Sequence, residues 1–178
     1  MMADASAELQ VRVARRTLEA EGICGLELVA CDGAPLPAFA AGSHVDVHLP
    51  GGIVRQYSLC NDPAETHRYQ IAVLREPASR GGSAAVHDLV AEGDALRISA
   101  PRNHFALAAD APRHLLLAGG IGVTPILCMA ERLAVLGARF HMHYSGRSAS
   151  RMAFRERIAA AAFADRVQLH CDDGDAAQ

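Results

Sequence analysis

The chain has 178 residues, 51% hydrophobic and 21% charged, with 17 basic against 20 acidic side chains and a formal net charge of -3. That length can bury a substantial core in one large domain or two small ones. The slightly acidic balance, the absence of Trp and an aromatic content of 4% exclude a nucleic-acid binder that works by charge or base stacking, and no apolar run approaches the roughly 20 residues of a membrane span.

The N-terminus carries no basic segment followed by an apolar block, so a cytoplasmic location is expected. Cys24, Cys31, Cys60, Cys128 and Cys171 are odd in number, scattered, and form no C-x-x-C pair. Neither a zinc ribbon nor an iron–sulfur cluster can be read from them; reduced, mostly buried thiols and no metal site are expected.

In chain order, residues 1–107 carry period-2 patterns bounded by Gly and Pro, the signature of half-buried antiparallel strands. Val45, Val47 and Leu49 alternate with His44, Asp46 and His48; Pro50-Gly51-Gly52 then turns the chain into Ile53 to Leu59. Tyr69, Ile71 and Val73 alternate in the same way, and Leu96 and Ile98 follow the Glu92-Gly93-Asp94 turn. Short strands at this spacing predict a barrel or sandwich. Ser83 to Val90 is the exception, a short helix with Val86, Leu89 and Val90 on one face and Gly81-Gly82 just ahead of it.

Ala108 to Pro112 reads as a linker, and the pattern changes beyond it, over 113–178. A continuous apolar strand from His114 runs into a glycine-rich turn and a helix from about Pro125 to Leu136, ended by Gly137. A second strand, about Arg139 to Tyr144, leads to Ser145-Gly146-Arg147-Ser148 and a helix from about Arg151 to Ala162; Val167 to Cys171 is a third strand before the polar tail Asp172 to Gln178. Strands alternating with helices predict right-handed βαβ units and a parallel sheet.

Three motifs carry chemistry. Arg55 and Tyr57 lie two apart, so on a strand they share a face, with Ser58 opposite or at the strand's end; together they can hold phosphate, cover a planar ring and hydrogen-bond a heteroatom. Alone that trio is ordinary strand surface, but Gly81-Gly82-Ser83 adds a small-residue anion nest at a helix start. In Leu115-Leu116-Leu117-Ala118-Gly119-Gly120-Ile121-Gly122-Val123-Thr124-Pro125, Thr124 is a candidate N-cap and Pro125 a favoured first helical residue. The helix start would face an anion with free N–H groups. The third position of a G-x-G-x-x-G pattern counted from Gly120 is Pro125, so the motif is weak by itself and also reads as a tight turn.

The remaining candidates stay open. Arg147 can contact the adenosine half of a dinucleotide or simply be solvated. Asp172 and Asp173 follow the third strand at the sheet edge where ligands bind, or only add solubility. His141 and His143 share a strand face, with His170 on the next strand; parallel strands are expected to be buried on both faces, so imidazoles hydrogen-bonded in the core or near strand ends are expected there rather than metal ligands.

Taken together, Arg55-Gln56-Tyr57-Ser58-Leu59-Cys60-Asn61-Asp62-Pro63, Gly81-Gly82-Ser83, Gly119 to Pro125 and His143-Tyr144-Ser145-Gly146-Arg147-Ser148 resemble the ferredoxin reductase-like flavoproteins. Within them the chain is similar to the phthalate dioxygenase reductase group, which includes vanillate demethylase reductases. The resemblance covers nearly the whole chain, and Cys60-Asn61-Asp62-Pro63 looks like the FMN-using branch rather than the FAD-using one. It implies a six-stranded antiparallel flavin barrel over 1–107 and the N-terminal portion of an NAD-binding α/β domain over 113–178. Arg55, Gly81, Gly82 and Ser83 would bind the flavin phosphate, Tyr57 would pack on the isoalloxazine ring with Gln56 beside it, and Ser58 would hydrogen-bond near N5. Ala72, Val73 and Leu74 would line the ring with their backbone. Gly119, Gly120, Ile121, Gly122 and Pro125 would cradle the NADH pyrophosphate, Thr124 would stand where the two domains meet, and Arg147 would be a cofactor contact. Ser58 and Thr124 are the candidate catalytic residues.

The family's dinucleotide domain continues past Gln178 and is followed by a ferredoxin domain holding a 2Fe-2S cluster, for which no ligands exist in this chain. A C-terminally truncated reductase component of a Rieske-type aromatic oxygenase or demethylase is the leading expectation, with NADH and the oxygenase component as partners. A short flavin reductase and a non-catalytic flavin- or nucleotide-binding module remain as alternatives.

Overall fold

Strict alternation in the first half of the chain builds an antiparallel barrel. The computed structural model describes residues 8–78, 80–108 and 110–172. β1 (Glu8–Ala20), β2 (Ile23–Ala30), β3 (Ser43–Leu49), β4 (Ile53–Ser58), β5 (Tyr69–Leu74), α1 (Gly82–Leu89), β6 (Ala95–Ser99) and the two-residue β7 (Arg102–Asn103) follow in chain order. The sheet runs β4-β3-β6-β1-β2-β5, all neighbours antiparallel, with β7 on β3. Val11, Val13, Leu28, Val45, Val47 and Ile98 are fully enclosed on its inner face, and each such side chain contributes about 1.5–3 kcal/mol by leaving water. The edge strands β4 and β5 approach one another but share no ladder, so the barrel keeps a seam. Beyond the strand ends the Cys60 N–H donates to the Gln70 carbonyl at 2.9 Å, and α1 buries Ala85 and Val86 in the barrel core.

The second half holds β8 (His114–Gly119), α2 (Val123–Val135), β9 (Phe140–Gly146), α3 (Arg155–Ala159) and β10 (Val167–Cys171), with the parallel strand order β10-β9-β8. α2 covers one sheet face, enclosing Leu127, Cys128 and Ala130 against Leu116, Ala118, Met142 and Tyr144. Ile23, Ala41, Cys60 and Ala72 of the barrel belong to the same apolar cluster, so barrel and α/β half are packed together.

Three expectations are corrected. The apolar strand at 114–119 is not buried on both faces: Leu115 is 63% and Leu117 64% exposed. His141, His143 and His170 lie on that open face rather than in a core, and His143 Nδ1 stands 3.0 Å from His170 Nε2. Among the described residues no cluster of three metal-ligating side chains occurs, and no helix is long and apolar enough to cross a membrane. The helix expected from Arg151 to Ala162 shrinks to a 3-10 turn at Ala149–Arg151 and the short α3, because Phe154 adopts φ 64 and interrupts the helical path. The cysteines are all free, with Cys24, Cys60 and Cys128 buried and Cys31 and Cys171 exposed. Asp173 and the rest of the polar tail lie outside the described residues.

Candidate functional site

The seam between β4 and β5 opens into a cavity of about 550 Å³. One wall is Arg55, Gln56, Tyr57 and Ser58 from β4; a second is Ala72, Val73 and Leu74 from β5, with Glu76 and Ser83 beyond; the third is Ile121, Gly122, Thr124 and Pro125 from the turn between β8 and α2. Twelve of the residues singled out by sequence thus converge on one cleft, contributed by both halves of the chain. Gly81, Gly82, Gly119, Gly120 and Arg147 stand outside its lining, and Asp172 is an exposed residue just past β10.

Gly81 and Gly82 act on the site through Arg55. Gly81 has φ 85, which starts α1 from a left-handed residue, and Gly82 is buried so tightly that a Cβ there would lie 2.6 Å from Arg55 Cγ and Nε. The Arg55 stem therefore lies across the backbone at the start of α1. Its guanidinium donates from Nη1 to the Val54 carbonyl at 2.8 Å and from Nη2 to the Arg80 carbonyl at 3.1 Å, and its remaining N–H groups stay available to an anion. Ser83 Oγ accepts from the Glu76 N–H at 3.1 Å, which ties the loop after β5 to α1. Burial, offset by the Arg55 charge, pushes the Tyr57 hydroxyl above its ordinary pKa, so this ring stays a neutral phenol.

The β5 wall is partly committed. His87 Nε2 lies 2.9 Å from the Val73 carbonyl oxygen, so that group is engaged from α1 rather than left to a ligand. On the nucleotide side the glycines do something different from Gly82. Cβ atoms added at Gly119, Gly120 or Gly122 would meet nothing within 4 Å, so these glycines leave the backbone open from outside instead of fitting a neighbour. The N-cap assignment of Thr124 is corrected: Gly120–Gly122 forms a 3-10 turn that runs directly into α2, Gly122 takes the cap position, and the Thr124 hydroxyl donates to the Ile121 carbonyl at 3.1 Å. Because Gly122 is already in the helical region, no extended residue is left to present a capping side chain.

Cys60-Asn61-Asp62-Pro63 does not reach the cavity. Asn61 is fully buried behind it, accepting from the Gln70 N–H at 2.9 Å and donating to Glu65 Oε2 at 3.1 Å and the Arg68 carbonyl at 3.2 Å. This lattice fixes the exit of β4 against the start of β5. Sequence reasoning missed Glu76, which follows β5 without any motif, and the Gln70–Glu131–Arg157 contacts beside Cys60, whose members are scattered over the chain.

No family model matches the sequence. Over 161 residues, 90% of this chain and 50% of the relative, it is 60% identical to the vanillate O-demethylase oxidoreductase of Pseudomonas putida. Over 168 residues it is 42% identical to the phthalate dioxygenase reductase of Burkholderia cepacia, covering 94% of this chain and 52% of that protein. A solved phthalate dioxygenase reductase, described as modular and as moving electrons from pyridine nucleotides to 2Fe-2S, superposes with a TM-score of 0.91 at 42% identity over 96% of this chain and 53% of that one. The structure of an intact type IV self-sufficient cytochrome P450 monooxygenase matches with a TM-score of 0.90 at 41% identity over 94% of this chain and 22% of that one. The chain spans about half the length of the curated relatives it matches. With the barrel, the half-covered parallel sheet and the motif-lined seam, these matches make the chain a close homologue of the vanillate demethylase and phthalate dioxygenase reductases over about half of their length.

Proposed function

We propose that the chain takes hydride from NADH to FMN as the flavin-bearing part of a reductase component serving a Rieske-type aromatic oxygenase or demethylase. The observation that carries this reading is the seam cavity, whose β4 and β5 walls suit a planar ring with a phosphate and whose third wall is a glycine turn open to a second ligand. Residues 1–107 would hold FMN, and 113–178 would be the N-terminal portion of the NAD-binding unit. FMN rather than FAD rests on the Cys60-Asn61-Asp62-Pro63 sequence.

A bound flavin supplies the capacity to accept a hydride and release its electrons singly. The residues supply position and electrostatics. Arg55, anchored on the Val54 and Arg80 carbonyls and held against Gly82, would give its remaining N–H groups to the phosphate. Tyr57 would cover one ring face as a neutral phenol, and Ser58, at the last position of β4, would hydrogen-bond near N5. Ala72 and Leu74 would line the ring edge. Gly119 to Gly122 would let the pyrophosphate approach the backbone at the start of α2, where the helix dipole favours an anion. Thr124, buried where the two halves meet, would keep that turn in shape through its bond to Ile121. Arg147, exposed after β9, would contact the adenosine half.

Anaerobic mixing of the FMN-loaded chain with NADH, followed by flavin absorbance, tests the reading: bleaching is expected. Bound FMN that NADH cannot bleach would instead support a binding module, the alternative favoured by the uncovered face of the parallel sheet. Onward delivery to an oxygenase needs a one-electron carrier such as the 2Fe-2S of the phthalate dioxygenase reductase structure.

A further inference from the structure

The cleft has walls from two halves of the chain, so its width depends on what aligns them. Most of their contact is apolar, through Ile23, Ala41, Cys60 and Ala72 against α2, and apolar contact is non-directional. Directional contacts include one from Cys128 on α2 to the Gly42 backbone and a set from the segment after β9. At its near end Ser150 and Arg151 meet Glu21, in the β1–β2 turn; the Arg151–Glu21 pair is more than half exposed and so adds little constraint. At its far end stands Arg157, on α3.

Arg157 is only 30% exposed, and its partner Glu131 on α2 only 17%. Its Nε and Nη2 donate to Glu131 Oε1 at 3.0 and 2.7 Å, Nη2 also to the Cys60 carbonyl at 2.9 Å, and Nη1 to Gln70 Oε1 at 3.2 Å. Cys60 follows β4 two residues after Ser58, and Gln70 precedes Ala72 on β5. One planar guanidinium therefore joins both flavin-side walls to the helix that begins at the nucleotide turn, and its fork geometry admits few alternative arrangements. Beneath it lies the Phe154 ring, 5.7 Å from the guanidinium carbon. Phe154 is also the non-glycine residue with positive φ among the described residues, a local strain maintained at the point that aims α3 toward the barrel. Arg157 itself does not line the cleft.

We propose that Arg157 is a positioning residue, setting the spacing and angle between the β4–β5 seam and the β8–α2 turn across which hydride transfer takes place. The transfer part of this inference rests on the function proposed above; the alignment part does not. The loss of Arg157 leaves flavin affinity intact but spoils the approach of the two ligands, to which transfer is steeply sensitive.

The exposed native cysteines Cys31, after β2, and Cys171, at the end of β10, lie on the two halves, while the other three are buried. Nitroxides on these two thiols of the full chain report alignment by dipolar electron spin resonance, with no cofactor or turnover needed. The parent should give a narrow distance distribution, Arg157→Met a broadened or shifted one, and Arg157→Lys one closer to the parent. In parallel, Arg157→Met should bind FMN as the parent does, yet be reduced by saturating NADH about tenfold or more slowly. An Arg157→Met distribution identical to the parent's overturns the proposal. If that variant does not fold, Glu131→Leu, which removes the acceptor of two of the Arg157 hydrogen bonds, carries the same test: broadening supports the clamp and an unchanged distribution overturns it. If NADH fails to bleach even the parent, the function proposed above fails while the distance measurement still decides the role of Arg157.

Discussion

The barrel and the parallel sheet solve the problem of strand burial differently. In the barrel Val45 and Val47 are fully enclosed, and among the described residues the gap between the edge strands β4 and β5 is the seam where the candidate ligand residues converge. In the parallel sheet Leu116 and Met142 are covered by α2 while Leu115 and Leu117 on the opposite face are mostly exposed. Parallel strands ordinarily need cover on both faces. The edge left open within the barrel coincides with the candidate ligand site, whereas the open face of the half-covered sheet presents exposed apolar side chains.

The largest expected effect contrasts two kinds of glycine. Gly82→Val must displace Arg55, whose stem a Cβ would strike at 2.6 Å, and should weaken FMN binding by ~3 kcal/mol, about a hundredfold. Gly119→Ala meets nothing within 4 Å and should leave FMN affinity unchanged while impairing NADH binding. Equal effects of the two in a fluorescence titration would erase the distinction. Arg55→Ala should cost roughly 1.5–3 kcal/mol in the same titration, the scale of a charge-assisted hydrogen bond.

Acid should also separate the halves. Burial tends to raise the carboxyl pKa of Asp46 and Glu65, but hydrogen bonds from Arg102 and Gln56 to the first, and from Arg68 and Asn61 to the second, outweigh it and hold both below the ordinary range. Their stabilisation is present above the ordinary carboxylate pKa of about 4 and is lost as pH falls through their lowered values. Glu131 has the opposite sign: burial raises it despite Arg157, so its contribution is lost as pH rises through the raised value and is recovered on acidification. Hydrogen exchange between neutral pH and pH ~3.5 should therefore show protection falling first around β3 and β4, and later in α2. The smallest effect on folding should come from Leu115→Lys with Leu117→Lys, which should suppress self-association in light scattering and change unfolding free energy by no more than about 0.5 kcal/mol.

Most of the barrel and of the lining of the candidate site was legible because period-2 alternation and paired small residues are local signals. Val45-Val47-Leu49 and Tyr69-Ile71-Val73 fall inside as their alternation requires, and β10 occupies Val167–Cys171. What escaped depends on tertiary context. The apolar run at 114–119 looks the same whether or not its second face is covered, and nothing in Arg151 to Ala162 announces that Phe154 will take a left-handed conformation. Thr124 follows the glycines as a cap would, yet the preceding 3-10 turn supplies that position instead. Arg157 is one arginine in an exposed-looking Arg-Glu-Arg stretch until folding brings Cys60 and Gln70 beside it.

Titration of the full chain with FMN, followed by flavin fluorescence, tests most directly whether the seam is a flavin seat. Saturable one-to-one quenching that is strongly weakened in Arg55→Ala is the expected result. Fluorescence that stays at the level of free FMN throughout the titration would contradict it.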